Sequence, residues 1–279
     1  METNPNVFTL EKMSAIRQEN QANKVEYFLE MSSNSTEKVS TRLRMNDFLG
    51  KKLTLTHTGT ILCLNCEKKT KKSFNQGYCY PCFIKLAACD MCIMKPETCH
   101  FAAGTCREPE WGEKNCNIDH IVYLANSSGL KVGITRSTQI PVRWIDQGAV
   151  AAIPLFKVKT RYHSGLLEVA IKKYVADKTH WQKMLRGEEE AVNLLEEREK
   201  IFTLVEKVAL ELGAEFLRAE PIQTFVYPVL EYPKKVKSHS LEKEMKVEGT
   251  LMGIKGQYLI FDSGVINLRK YGGYQITIS

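Results

Sequence analysis

The sequence has no cysteine before Cys63 or after Cys116, yet it places nine between those two positions. Nor does any stretch approach the ~20 apolar residues that a membrane span requires, so no membrane partner is expected. The opening METNPNVFTLEKMSAIRQEN lacks the basic-then-apolar run of a secretory leader. Without a leader the expected compartment is the cytoplasm, where thiols stay reduced and a disulfide framework is excluded. Internal repeats, low-complexity tracts and obvious linkers are absent too, which excludes a repeat architecture.

The clustered cysteines are therefore read as metal ligands. The first four run Cys63-x2-Cys66-x12-Cys79-x2-Cys82. Two such pairs can converge as four thiolates on one tetrahedral ion, which is how structural zinc is held. Beyond them lie Cys89, Cys92, Cys99, His100, Cys106, Cys116 and His120, more candidates than a four-coordinate ion can use. The expected second set is Cys89, Cys92, Cys99 and Cys106, with Cys116, His100 and His120 as substitutes. A surplus of thiols favours a closed structural site over a catalytic one with an open position. The competing redox reading, a thioredoxin-like Cys-x2-Cys, needs a preceding strand and a following helix that the pattern does not supply.

Composition bounds the remainder. A length of 279 residues with 43% hydrophobic content allows two globular units with cores of their own. The formal charge of +7 makes polyanions more suitable partners than polycations. Lys68, Lys69, Lys71 and Lys72 fill the loop between the first two cysteine pairs, beside Phe74, Tyr78 and Tyr80. A basic loop interleaved with aromatics suits phosphate contact and base stacking on DNA or RNA. The plainer alternative is a solvated loop whose lysines keep the module soluble.

The fold class expected from periodicity is α+β. Residues 1–24 read as a helical or loose polar segment, and Lys24–Met31 and Lys52–Leu62 as strands. Further strands are expected at His120–Ala125, Leu130–Thr135 and Ala151–Arg161, with helices over Val142–Gly148, Gly165–Asp177 and Glu188–Leu212. From Pro221 the pattern returns to strands at Gln223–Tyr232, Val247–Ile254, Gln257–Asp262 and Gly264–Leu268, with Gly253 among the turn glycines. The expected division is an N-terminal segment (1–62), a zinc-binding module (63–118), an α/β domain with a long helix (119–220) and a C-terminal β segment (221–279). The strand-rich ends are expected to pair into a small sheet or barrel.

Within IVYLANSSGLKVGITRSTQIPVRW (residues 121–144), an apolar strand carries Tyr123, a short turn follows, and a second strand contains Lys131-Val132-Gly133. Arg143 comes ten residues after that glycine, and Glu168 lies in a later helix. This order resembles the GIY-YIG nuclease superfamily over about residues 120–180. The resemblance implies a divalent-metal-dependent phosphodiester hydrolase. Glu168 would ligate magnesium or manganese, Arg143 would hold phosphate oxygens, and Tyr123 would position or deprotonate water. Lys131 would supply a neighbouring cation, and Arg136 a further phosphate contact. The sequence departs from the pattern at Ile121, at Lys131 and at Gln147, where a histidine often stands; Asp177 and His180 only loosely replace a later asparagine. Taken singly, Tyr123 could be a core tyrosine, Arg143 a cover for Trp144, and Glu168 an exposed partner of Lys172.

Longer strings, including CLNCEKKTKKSFNQGYCYPCF, CDMCIMKPETCH, GTCREPEWGEKNC, SGLKVGITR, RWIDQGA and GIKGQYLIFDSGVINLRK, resemble an uncharacterised bacterial family catalogued as a domain of unknown function (number two-seven-nine-seven). That resemblance implies a bacterial cytoplasmic protein and lends no activity. The sequence thus leaves three functions open: a zinc-stabilised endonuclease, a nucleic-acid-binding protein that keeps the fold without the reaction, and a zinc-stapled scaffold for protein contacts. One or two structural zinc ions are expected in each.

Overall fold

Alternating apolar and polar residues build most of the first sheet, and a nearly unbroken apolar run builds the centre of the second. The computed structural model describes residues 7–33, 40–175 and 178–279. Its backbone divides into two compact units, one formed by residues 1–83 with 226–279 and the other by residues 84–225. The first unit begins with β1 (Val7–Leu10), β2 (Ser14–Gln18), β3 (Lys24–Ser33), β4 (Ser40–Arg44), β5 (Lys52–Leu62) and the short β6 (Lys69–Thr70). The second holds β7 (His120–Asn126), β8 (Leu130–Arg136), β9 (Ala151–Val158), β10 (Glu215–Phe216) and β11 (Gln223–Thr224). The chain then returns to the first unit for β12 (Lys246–Lys255), β13 (Tyr258–Phe261), β14 (Gly264–Asn267) and β15 (Tyr274–Ile278). The helices are α1 (Tyr80–Lys85), α2 (Pro109–Asn115), α3 (Val142–Asp146), α4 (Arg161–Ile171), α5 (Trp181–Arg186) and α6 (Leu194–Glu211). Among the described residues no helix is long and apolar enough to cross a membrane.

In the first unit the strands form one sheet in the order β14-β13-β12-β5-β15-β1-β3-β2, with β4 beside β3 and β6 beside β5. The two ends of the chain meet there, because β1 pairs antiparallel with β15 and sets Val7 opposite Thr277. Leu53, Leu55 and His57 on β5 turn inward at every second position. The segment expected to be helical or loose over residues 1–24 is corrected here: from Val7 onward it contains strands β1 and β2. The backbone groups of these strands are satisfied by β15 and β3, distant partners that no local pattern reveals. Residues 1–6 of that segment lie outside the described residues. The strand expected over 223–232 covers only Gln223–Thr224, since Pro228 cannot donate to a ladder. Gly253 lies inside β12 and not in a turn; a β-carbon there would meet the Val229 side chain at 2.9 Å.

In the second unit β7 runs between β8 and β9, antiparallel to both. All seven of its residues are buried, as suits a central strand covered on both faces. Val122 and Leu124 join the core formed by β9, by Leu167 and Ile171 of α4, and by Ile201, Val205 and Ala209 of α6. Helix α4 starts earlier than its apolar spacing suggests, because the Thr160 hydroxyl accepts the His163 N–H at 3.2 Å and caps it. Asn193 caps α6 in the same way, accepting from the amides of Leu195 and Glu196.

Candidate functional site

The first cysteine quartet occupies the end of β5, in the first unit. Cys63 directly follows the strand and is locked by its amide to the Lys68 carbonyl at 3.0 Å, while Glu67 N–H returns to the Cys63 carbonyl at 2.8 Å. Glu67 takes the left-handed φ of 58° that closes this reverse turn. Although a strand precedes the pair, a turn follows it, so the thioredoxin arrangement is not made. Sulfur ligand atoms of Cys63, Cys66, Cys79 and Cys82 all lie within 4.8 Å of one another. Cys66 Sγ and Cys79 Sγ are 3.7 Å apart. A tetrahedral zinc–thiolate centre with bonds of about 2.3 Å has edges of about 3.8 Å, so the quartet fits that ion. Burial opposes ionisation of Cys63, yet the backbone amides of Cys79, Cys66 and Asn65 outweigh it and bring the thiol down to about 6. Such amide-to-sulfur bonds are what a bound thiolate accepts.

Lys68, Lys69, Lys71 and Lys72 are all exposed on the segment that joins the two pairs, with Lys69 opening the short β6. Lys72 stands over the Phe74 ring, which stacks on Phe83 and tilts against Tyr80. Tyr80 is 56% exposed, an open aromatic face among cations.

The other five cysteines belong to the second unit. Cys92, Cys99, Cys106 and Cys116 line one small cavity together with His100 and Asp90. Cys89 is buried but is not among its lining residues. Asp90 caps its own turn through the Cys92 amide (3.1 Å) and pairs with Arg107 at 2.6 Å. His100 directs Nδ1 to Thr105 Oγ1 at 2.8 Å. Burial, reinforced by Asp90 for Cys92 and by Cys99 for both, pushes the Cys92 and Cys116 thiols up to about 12.

The third site lies on the β7–β8 hairpin and its flanking helices. Tyr123 sits on β7 opposite Gly133 of β8. Its ring meets Trp144 edge-on at 5.7 Å, and its hydroxyl donates to Gln147 Oε1 at 2.9 Å. Burial is the largest influence on this phenol and pushes it up to about 12; Arg143, within hydrogen-bonding reach, works downward and Glu168 upward. Tyr123, Arg143, Gln147 and Glu168 therefore converge from β7, α3 and α4. The buried Trp144 and Ile145 anchor the short α3 and hold the half-buried Arg143 in place. Glu168 is only 8% exposed, although it does pair with Lys172 at 3.2 Å. Gln147, which the sequence presents as a missing histidine, is the phenol's acceptor; its position four residues after Arg143 was the available signal.

The remaining sequence candidates fall nearby or apart. Lys131 Nζ donates to Thr179 Oγ1 at 3.0 Å from a buried position on β8. Arg136, at the far end of β8, donates to Asn115 Oδ1. His120 opens β7 with Nδ1 2.8 Å from the Ile118 carbonyl, and burial pulls it down to about 4. His180 contributes its backbone N–H to Ser128 Oγ, and Asp177 lies outside the described residues.

The fold and sites define a mixed α/β protein with a cysteine quartet able to hold a metal such as zinc. The chain belongs to the family described as "Protein of unknown function (DUF2797)", whose model matches residues 50–276. Neither a curated protein nor a solved structure matches it.

Proposed function

We propose that this protein is a zinc-stabilised, divalent-metal-dependent phosphodiester hydrolase acting on DNA or RNA, with a GIY-YIG-like catalytic domain in the second unit. The carrying observation is that Gln147 accepts from the Tyr123 phenol and Arg143 lies within hydrogen-bonding reach of it, while Glu168 is near enough to act on it by charge. Arg143 binds phosphate oxygens through its planar fork and neutralises charge that builds at phosphorus. Tyr123, in its ionised form, orients the attacking water and takes up its proton at the phenolate oxygen, its own proton having first passed to solvent, with Gln147 fixing the ring's direction in the neutral form. Glu168 is the hard oxygen ligand that magnesium or manganese prefers. When bound, that cation supplies the positive charge that makes water a better nucleophile and the departing oxygen a better leaving group. The exposed lysines and Tyr80 beside the first cysteine quartet hold the polyanion.

A second reading rests on the complete burial of Tyr123 and the pairing of Glu168 with Lys172: a nucleic-acid-binding protein that keeps the fold without the reaction. Zinc-loaded protein incubated with labelled branched, duplex and single-stranded DNA and with structured RNA separates the two. Cleavage that needs magnesium or manganese and disappears in Tyr123→Phe, Arg143→Ala and Glu168→Ala supports hydrolysis. Salt-sensitive binding without cleavage supports the second reading.

A further inference from the structure

Late in the chain, within the first unit, three side chains that the hydrolase reading does not use meet one another. His239 Nδ1 lies 3.2 Å from Glu244 Oε2, and its Nε2 lies 3.1 Å from Ser263 Oγ. An ionised carboxylate only accepts, so Glu244 keeps the ring proton on Nδ1 and leaves the Nε2 lone pair facing the serine. Acid, imidazole and hydroxyl in that order are how a weak oxygen nucleophile is activated. The ring is only 8% exposed, whereas Ser263 is open to solvent in the turn between β13 and β14. A shielded base beside an accessible hydroxyl is what such chemistry requires.

The backbone holds each member. Residues 237–239 run beside β14: the Val265 amide donates to the Lys237 carbonyl at 2.7 Å, and the His239 amide to the Val265 carbonyl at 2.8 Å. The Glu244 amide returns to the Ser240 carbonyl at 2.8 Å, one turn that brings its carboxylate back to the ring, and buried Leu241 anchors that turn. Between β13 and β14, Asp262 N–H donates to the Thr250 carbonyl while Asp262 Oδ1 accepts the Thr250 amide, both at 3.0 Å. Two glycines clear the reacting atoms. A β-carbon on Gly264 would come 2.8 Å from His239 Nε2, and one on Gly249 would come 2.9 Å from Ser263 Oγ. The Ser263 hydroxyl also reaches the Glu248 carbonyl at 2.9 Å. Its single proton rotates between that carbonyl and Nε2, so the oxygen stays in place whichever acceptor it serves.

We propose that Ser263, His239 and Glu244 form an acyl-transfer site for activated esters, independent of the hydrolysis assigned to the second unit. Ser263 Oγ attacks the acyl carbon and passes its proton to His239 Nε2. The bond from that carbon to the leaving oxygen breaks, and the imidazolium returns the proton to the departing alkoxide. Water then repeats the route, releasing the free acid and restoring the serine. Ser263 and His239 are the catalytic residues, and Glu244 is a positioning residue that sets the tautomer. The neighbouring Asp262 amide is taken by the Thr250 carbonyl and does not serve an oxyanion. An activated ester, whose leaving oxygen departs readily, asks least of such donors and is the class this arrangement fits.

A tagged fluorophosphonate tests this on purified full-length protein. Phosphorus then stands in for the acyl carbon: the Oγ–P bond forms, the P–F bond breaks, fluoride leaves and the serine proton goes to His239. Peptide mapping is expected to find one adduct, on Ser263, and none in Ser263→Ala. Labelling should slow roughly 10²-fold in His239→Gln, with hydrolysis of p-nitrophenyl acetate falling in step. Glu244→Gln should lower kcat for that ester with KM unchanged, and Glu244→Asp should restore part of it, a split that a merely structural role would not give. No adduct on Ser263, or labelling equally fast in wild type, His239→Gln and Glu244→Gln, overturns the proposal. Should His239→Gln fail to fold, the two Glu244 variants decide the matter. None of these readouts involves nucleic acid.

Discussion

The Tyr123 hydroxyl lies across the α-carbon of Gly133, so close that a β-carbon on residue 133 would sit 2.6 Å from the phenol oxygen. The glycine of the second hairpin strand is thus required by the tyrosine of the first. Gly133→Ala is expected to force the ring aside at about 1–3 kcal/mol, as overpacking does. Urea unfolding measures that cost. Any cleavage should fall alongside it, because the displaced phenol loses Gln147 and Arg143 together.

Cys66→Ser removes one corner of the first quartet. Because such a site contributes folding free energy of order 10 kcal/mol, the variant is expected to lose one zinc and the cooperative unfolding of the first unit. Elemental analysis with thermal denaturation checks both, and retention of wild-type zinc content would argue against the quartet.

Much of this architecture was legible in the residues. The alternation over Lys52–Leu62 marks a strand with the bounds that β5 has. The order Tyr123, Gly133, Arg143, Glu168 places its members on the hairpin, α3 and α4. Long-range partnership was not legible. Val7–Leu10 is a strand because residues 274–278 wait beside it, and spacing along one segment carries no information about the other. Spacing also cannot tell which residue reaches a given cavity: Cys89 and Cys92 form a regular pair and are equally buried, yet of the two only Cys92 lines the cavity that Cys116 shares. Gln147 stands where the motif often has a histidine, and spacing alone could not show that its side-chain carbonyl oxygen accepts from the phenol.

The four loop lysines should account for much of the salt dependence of nucleic-acid binding. Each phosphate contact contributes a slope of about 0.9 on duplex DNA, so replacing Lys68, Lys69, Lys71 and Lys72 by alanine is expected to flatten it by roughly 3–4. Fluorescence anisotropy across a salt series measures the slope. An unchanged slope would leave the lysines as a merely solubilising surface.

Burial holds Tyr123 up at about 12, well above neutral pH. If this phenol takes the proton from water, its ionised fraction rises about tenfold per pH unit through the neutral range, and single-turnover cleavage should rise with it. A rate that is flat between pH 7 and 9 would assign the proton to another acceptor.

His120 gives an acid-side signature. It is 1% exposed, and burial lowers its pKa to about 4 from 6.5, so the unfolded chain binds the extra proton between those values. Its stabilising contribution is complete above pH 6.5 and is lost as pH falls toward 4, on the order of 3 kcal/mol. His120→Asn, which can keep the bond to the Ile118 carbonyl, is expected to unfold with a shallower dependence across that window. Comparing urea midpoints at pH 5 and pH 7 in both proteins separates this effect from acid release of zinc.

The most direct test of the nuclease reading is manganese-dependent single-turnover cleavage by wild type and Glu168→Gln, with affinity for the same substrate measured in parallel. Affinity within about twofold and a rate lower by roughly 10³-fold are expected, because an amide keeps the shape but not the charge that binds the cation. Equal rates in the two proteins, or binding by both with no cleavage by either, would contradict it.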